Sequence, residues 1–391
     1  MNVLDWLLIA FAVVYALSGF RQGFVVGACS TVGLLVGGAI GVLVSPRFFD
    51  RFQASIGVSV AAVLLVLLCA LLGQTVAAHF GGNLRRRIVH EPVRAVDAVG
   101  GAVLSAAAAL VVSWALGVAV SGTQIPGVAR MVQSSQVLAR VDQVLPGDAD
   151  QVLEALNDVV NQSVFPRYLD PFVPERIVPV DPPTREVLRD REIRAASRSV
   201  VKILGTADSC SRSVEGSGFV YAPGRVMTNA HVVAGVDEPT VVVGDEEHSA
   251  RTVVYDADLD IAVLSVDGLD LPALDFTESG RSGDSGAVLG YPGNGPFDAE
   301  PARIRAEQRL RSSDIYNQGT VFRSVYSVFS NVQPGNSGGP LVSTDGDVYG
   351  VVFAKSVSDA RTGYAVTAAQ VSRDAARGRT SDERVDTGAC S

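Results

Sequence analysis

Lysine is almost absent from this chain: among 391 residues it occurs only at Lys202 and Lys355. The formal charge is −9 and no long basic run interrupts the sequence. Both facts exclude the electrostatic footprint of a nucleic-acid binder, so nucleic acid is not an expected partner. Cysteine is equally scarce. Cys29, Cys69, Cys210 and Cys390 have none of the paired spacings of a zinc site, so no metal or other cofactor is expected. Cys29 and Cys69 lie in apolar runs, where cysteine acts as a small buried hydrophobe. Cys210 and Cys390 stand near opposite ends of the sequence that follows. They are either free thiols or a disulfide, which requires an oxidising compartment.

Charge is also thin over residues 1–122, where apolar residues crowd instead. Four runs there reach the roughly 20 residues needed to cross a bilayer: Val3–Phe20, Gly23–Val44, Gly57–Phe80 and Gly100–Gly122. The first lacks a basic start and apolar sequence resumes after Arg21 and Gln22, so it reads as a retained helix rather than a cleaved signal. No Asp, Glu, Lys or Arg sits deep in a run; Asp5 and Asp97 are near ends, which disfavours an ion or proton path. Arg21 follows the first run, and Arg85, Arg86, Arg87 and Arg94 separate the third from the fourth. Arg47 and Arg51 are the only basic residues between the second and third. Positive loops stay in the cytoplasm, so both the N-terminus and the long C-terminal part are expected outside, at the cell (inner) membrane. That side is oxidising, which favours a Cys210–Cys390 bridge. Glycines at spacing four (Gly23 and Gly27; Gly33, Gly37 and Gly41) let helices approach closely, within the bundle or through self-association of the anchor.

Residues 123–198 form an expected connector. Met131 to Asn161 has helical periodicity broken at Pro146-Gly147, and prolines from Pro166 to Pro183 then make an extended tract. Thr184 to Ser197 reads as a helix with Thr184 as N-cap. The proline-rich stretch from Phe165 to Arg191 is expected to be the first part nicked by proteases. From residue 199 to 391 short β-rich runs alternate with turn residues: Ser199–Ile203, Gly218–Tyr221, Thr240–Val243, Ile261–Val266, Gly286–Leu289 and Val348–Phe353. That spacing predicts an all-β sandwich or barrel, with only a short charged tail after the last strand.

Three pieces carry chemistry. Gln333-Pro334-Gly335-Asn336-Ser337-Gly338-Gly339-Pro340 offers a serine on a glycine-rich turn, as a nucleophile beside backbone oxyanion donors requires. A serine needs a base, and residues 199–391 contain two histidines. His231 follows a β-rich run, whereas His248 lies in the acidic stretch Asp245–Ser249, which reads as a solvated turn; His231 is the expected base. The orienting carboxylate comes from Asp256, Asp258 or Asp260. Asp260 abuts the apolar strand Ile261–Leu264 and is favoured, the other two reading as turn residues.

In the chain order His, Asp, Ser, these pieces resemble the trypsin-like, chymotrypsin-fold serine proteases and especially their HtrA-type bacterial branch. The resemblance rests on Gly216-Ser217-Gly218-Phe219-Val220, Thr228-Asn229-Ala230-His231, Asp260–Leu264, Gly335–Pro340 and Gly363-Tyr364-Ala365-Val366. It implies a C-terminal chymotrypsin-like double β-barrel, all-β, with the triad between the barrels and an oxyanion hole at the N–H groups of Gly335 and Ser337. It also puts Asn331 at the base of the specificity pocket, where no carboxylate receives Arg or Lys. No PDZ module follows the protease, and Asn336 stands where digestive enzymes carry the Asp that pairs with a new N-terminus. Residues 1–122, with the early Asp5, Gly19, Gly23 pattern and Arg94-Ala95-Val96-Asp97, resemble the colicin V production family. The combination is similar to the actinobacterial acid-resistance periplasmic proteases of the MarP type. That implies a membrane-anchored periplasmic serine endopeptidase, acting on extracytoplasmic protein or peptide substrates and serving resistance to acid or oxidative stress. The alternative is a catalytically silent peptide-binding membrane scaffold.

Overall fold

A computed structural model describes residues 1–49, 56–87, 90–121, 131–132, 134–145, 175–207, 210, 212–316, 318–356 and 358–390. They form two compact units, one of residues up to 145 and one from Glu175 onward.

The first unit is built from α1 (Val3–Gln22), α2 (Phe24–Phe49), α3 (Ile56–Arg85), α4 (Glu91–Ser121) and the short amphipathic α5 (Gln136–Val144). The first four are long and apolar enough to cross a membrane, and their large side chains point outward, as at Trp6 (64% exposed) and Leu7 (62%). In water this would be untenable; in lipid it is the expected surface. The glycine stripe faces inward. A Cβ on Gly33 would lie 2.3 Å from the Gly73 carbonyl oxygen, and one on Gly37 would lie 2.3 Å from that of Cys69, so the stripe is used in packing α2 on α3. The two polar residues near helix ends tie the bundle together. Asp97 accepts from Arg85 Nε at 2.8 Å and from the Val25 N–H at 2.9 Å. Asp5 accepts from Ser135 Oγ at 2.6 Å and the Val137 N–H at 3.1 Å, which docks α5 on α1. The helical periodicity beyond Leu145, with its break at Pro146-Gly147, lies outside the described residues, as does Phe165–Pro174 of the proline-rich stretch.

From Glu175 the chain is tied to the second unit. The Glu175 carboxylate accepts from Tyr364 Oη at 2.7 Å and the Ser358 N–H at 3.2 Å, and Arg305 donates to the Val178 carbonyl at 2.9 Å. The single helix expected over Thr184–Ser197 is instead a 3₁₀ turn, Arg185–Arg189, and a separate α6, Arg191–Ala196. Thr184 makes no capping bond; Asp190, between the two, accepts from the Arg191 N–H. Aspartate competes well for a cap wherever one is offered, and breaks the helix there.

Twelve strands follow among the described residues: β1 (Val200–Ala207), β2 (Arg212–Ala222), β3 (Arg225–Thr228), β4 (Thr240–Val243), β5 (Glu246–Asp256), β6 (Ile261–Val266), β7 (Ser285–Gly290), β8 (Asp298–Ser313), β9 (Thr320–Phe329), β10 (Pro340–Ser343), β11 (Val348–Lys355) and β12 (Thr362–Thr367). They close two antiparallel barrels, ordered β1-β2-β3-β6-β5-β4 and β10-β11-β12-β9-β8-β7. Each barrel is filled by inward residues, such as Ile203, Val220, Val241 and Leu264 in the first and Val288, Ile304, Val328 and Val352 in the second. A third cluster, including Phe219, Tyr221, Phe353 and Tyr364, joins strands of both barrels. His248 is not in a turn: it lies in β5 opposite Val241. Alternation sets one face of a half-buried strand against solvent, so acidic residues do not exclude it.

The tail is likewise more than a charged end. Ala368–Thr380 forms α7, whose Val371 and Ala375 pack into the shared cluster. Tyr221 Oη donates to the Ala375 carbonyl at 3.0 Å, Arg225 Nε to that of Gly378 at 2.9 Å, and Arg225 also pairs with Asp382. Beyond α7 the chain returns to the first barrel and ends in a disulfide between Cys210 and Cys390.

Asp374 of α7 is only 3% exposed, and its Oδ2 has no hydrogen-bond partner among the described residues. Burial, with help from the nearby charge of Asp256, pushes its carboxyl up to about 6 against the pull of Arg377 and Arg373. A carboxyl whose folded pKa is raised binds its proton more tightly when folded. The penalty that Asp374 places on stability should therefore shrink as pH falls through about 6 towards about 4, and is largest above that window. Asp374→Asn is expected to raise the melting temperature at about pH 8 and to change it little at about pH 4. Thermal denaturation at the two pH values checks this.

Candidate active site

His231 sits on the 3₁₀ turn Ala230–Val232 directly after β3. Its Nδ1 lies 2.8 Å and 3.0 Å from the two carboxylate oxygens of Asp260, and its backbone N–H donates to Asp260 Oδ1 at 2.9 Å. One carboxylate thus fixes the ring and the backbone of the same residue. Asp260 is fully buried and takes φ +62°, a left-handed backbone that a non-glycine residue occupies at a cost. Its carbonyl accepts from Asn229 Nδ2 at 2.7 Å. The turn is pinned from both sides, and the strain turns the carboxylate back under the imidazole. Asp256 instead accepts from the Leu259 N–H and shapes this turn.

Ser337 lies on a turn of the second barrel that packs against β2 and the end of β3. Its carbonyl accepts from the Ser217 N–H at 2.8 Å. Gly338, at φ +84°, leaves no room for a side chain: a Cβ would lie 2.1 Å from the Ser217 carbonyl oxygen and 3.1 Å from the Asn229 nitrogen, two residues before His231. The other glycine of the turn, Gly335, has φ +91°, and a Cβ there would lie 2.4 Å from the Tyr291 carbonyl oxygen. Both positions require glycine for conformation and for space.

Ser217 positions the Ser337 turn in a way that the sequence does not disclose. Its Oγ donates to the Gly335 carbonyl at 2.6 Å and accepts from the Tyr291 N–H at 2.9 Å, while its own carbonyl accepts from Thr228 Oγ1 at 2.8 Å. One small side chain in β2 therefore clamps the Ser337 turn to the strand that leads to His231. Its partners are 118 and 74 residues away in sequence, so only the motif Gly216-Ser217-Gly218 marked it.

Within the turn the amides divide. The N–H groups of Asn336, Gly338 and Gly339 donate to the carbonyls of Gln333, Val352 and Asn336. Those of Gly335 and Ser337 have no acceptor among the described residues. Asn331 is solvent-exposed six residues before Ser337. A separate recess of ≈ 530 Å³, lined by Gly205, Thr206, Asp237, Glu238, Thr240 and Arg384, contains no histidine or serine.

Comparison with known proteins agrees with this architecture. Residues 216–351 match the Trypsin-like peptidase domain family, and residues 4–146 match the Colicin V production protein family. The chain is 38% identical over 391 residues to the serine protease Rv3671c of Mycobacterium tuberculosis, covering 99% of this chain and 98% of that protein. The crystal structure of the active form of the Rv3671c protease superposes with a TM-score of 0.54 at 43% identity, covering 57% of this chain and 98% of that one. A probable periplasmic DegP-like serine endoprotease of Pseudomonas savastanoi is 30% identical over 242 residues, 59% of this chain and 48% of that protein. The chain belongs to the family of the mycobacterial serine protease Rv3671c: it is a membrane-associated serine protease that joins an apolar helical N-terminal region to a trypsin-like domain of two β-barrels.

Proposed function

We propose that the chain is a membrane-anchored, extracytoplasmic serine endopeptidase that works through His231, Asp260 and Ser337. Ser337 Oγ attacks the scissile carbonyl while His231 Nε2 takes its proton. Asp260, bound to Nδ1, holds the imidazole in the tautomer that leaves Nε2 as acceptor and stabilises the imidazolium that forms. The carbonyl oxygen becomes an oxyanion, received by the N–H groups of Gly335 and Ser337. The imidazolium then protonates the leaving amine, and water hydrolyses the acyl-Ser337 ester by the same exchange in reverse. The two-point grip of buried Asp260 on His231 carries this reading, because a merely structural histidine has no need of it. Hydrolysis of an unfolded protein by the purified chain, blocked by a serine-directed phosphonate, tests it. Unimpeded hydrolysis in the presence of the phosphonate would count against it.

The proposal places both the N-terminus and the protease outside the cytoplasm, at the cell (inner) membrane. Arginine placement supports this, and so does the disulfide in the second unit. A cysteine introduced near Leu84 is expected to be protected from an impermeant thiol reagent in intact cells, and one near Pro183 to be labelled. The reverse pattern would put the protease inside. The substrate is proposed to be an extracytoplasmic protein or peptide, with Asn331 at the base of the pocket. A role in withstanding acid or oxidative stress follows the family resemblance and would appear as acid sensitivity of a strain carrying Ser337→Ala.

A further inference from the structure

The two lysines of the chain differ in one respect. Lys202, in β1, donates Nζ to the Asn294 carbonyl at 3.0 Å and lies 5.4 Å from the centre of the Tyr291 ring. That turn is itself bonded to the nucleophile loop, Gly293 N–H to the Pro334 carbonyl at 2.8 Å. Lys202 is therefore satisfied. The Lys355 ammonium has no hydrogen bond or ion pair among the described residues.

Lys355 ends β11, the strand that hooks onto the Ser337 turn. The Gly338 N–H donates to the Val352 carbonyl at 2.8 Å, and the Val352 N–H donates to that of Gly339 at 2.9 Å. Three residues further along, past an irregularity in the ladder between Val352 and Ala354, is at most about 10 Å, a gap that a lysine arm and a substrate side chain can close together. The direction is set by register. Lys355 pairs with Gly363 of β12, and residues paired across an antiparallel ladder share a face. On that face a Cβ at Gly363 would lie 2.3 Å from Val332 Cγ2, so the Lys355 arm rises on the side where the segment leading from Asn331 to Ser337 runs.

The charge there is uncompensated. Lys355 is half-buried, and burial pushes its ammonium below the ordinary lysine range with no neighbouring carboxylate to oppose it. Asp359, in the loop between β11 and β12, pairs with Arg305 at 3.5 Å, and Glu175, bonded to that loop, accepts from Tyr364 and Ser358. A partly desolvated cation recovers solvation energy when a carboxylate arrives, and charge-assisted bonds of this kind discriminate against neutral isosteres.

We propose that Lys355 is a specificity-determining residue that selects a substrate carboxylate, from Asp or Glu, on the acyl side of the scissile bond. The proposal rests on Ser337 being the nucleophile. Its test uses the full chain in detergent and peptide pairs carrying Glu or Gln at each of the three positions before the cleaved bond. The expected result is that, at one position, Glu exceeds Gln about tenfold in kcat/KM, and that the excess shrinks as salt is raised. Lys355→Met should bring the ratio close to one, and Lys355→Glu should invert it in favour of a Lys peptide. Each ratio is internal to one variant, so general damage to folding or activity cancels. A wild-type ratio near one at all three positions, or a Glu preference that survives in Lys355→Met, would overturn the proposal. Failure of a phosphonate to label Ser337 in the wild type would instead remove the reading on which it rests.

Discussion

Ser337→Ala is expected to leave the fold intact and to abolish proteolysis. Ser337 is 5% exposed, and its carbonyl, not its hydroxyl, carries the bond to Ser217. Loss of the hydroxyl therefore removes chemistry without removing the clamp. By the behaviour of other serine-protease triads the loss in kcat is on the order of 10⁶. His231→Ala should cost about as much, and the double variant little more, because the two groups act as a unit. Asp260 needs a gentler substitution. Its carboxylate holds the His231 backbone as well as the ring, and its φ is +62°. Alanine would disturb the turn, whereas Asp260→Asn keeps a residue that tolerates the left-handed region and alters the tautomer alone. Activity is expected to fall by about 10⁴ with little change in melting temperature. Parallel measurement of cleavage and thermal unfolding separates these cases.

Cys210→Ser should bring the largest loss of stability. The bridge closes 180 residues, for which the chain-entropy estimate is about 5 kcal/mol as an upper figure. Whole-domain stability is only about 5–15 kcal/mol, so a fall of about 10–20 °C in melting temperature is expected for a domain of this size. The effect should reach the active site. The tail before Cys390 is bonded to the segment after His231: the Gly235 N–H donates to the Thr387 carbonyl at 3.2 Å, and Thr387 Oγ1 donates to that of Val236 at 3.1 Å. Arg384 pairs with Asp237 at 2.7 Å, and the Val385 N–H donates to the Thr252 carbonyl. A loosened tail withdraws support from the turn that carries His231, and proteolysis should weaken with it. Two titratable thiols in the second unit of native protein, isolated without reductant, would end this argument.

The elements legible in the sequence share one property: their chemistry is local. Thr240–Val243 is an uninterrupted β-branched run and Ile261–Val266 an apolar one broken only by Ser265, and both are strands with those bounds. The glycines around Ser337 announce a turn that only glycine can make. β8 was not legible, because DAEPARIRAEQRLRSS alternates charge with small residues, and its inward face shows only once β7 and β9 are paired to it. α7 was hidden by its Ala, Arg and Gly content, its apolar stripe being two or three residues wide. The Thr184 cap failed because the helix starts later than expected: Asp190, six residues on, accepts from the Arg191 N–H instead. Ser217 is the plainest case. Its importance lies in bonds to Gly335 and Tyr291, residues that the sequence does not place beside it.

One serine, Ser337, activated by one histidine, His231, is the proposed nucleophile. Treatment of the full chain with a fluorophosphonate, followed by digestion and mass spectrometry, addresses it most directly. A single adduct on Ser337, absent from His231→Ala and from Ser337→Ala, is the expected result. A protein that still cleaves its substrate while Ser337 stays unmodified, or that carries the adduct on another residue, would contradict the assignment.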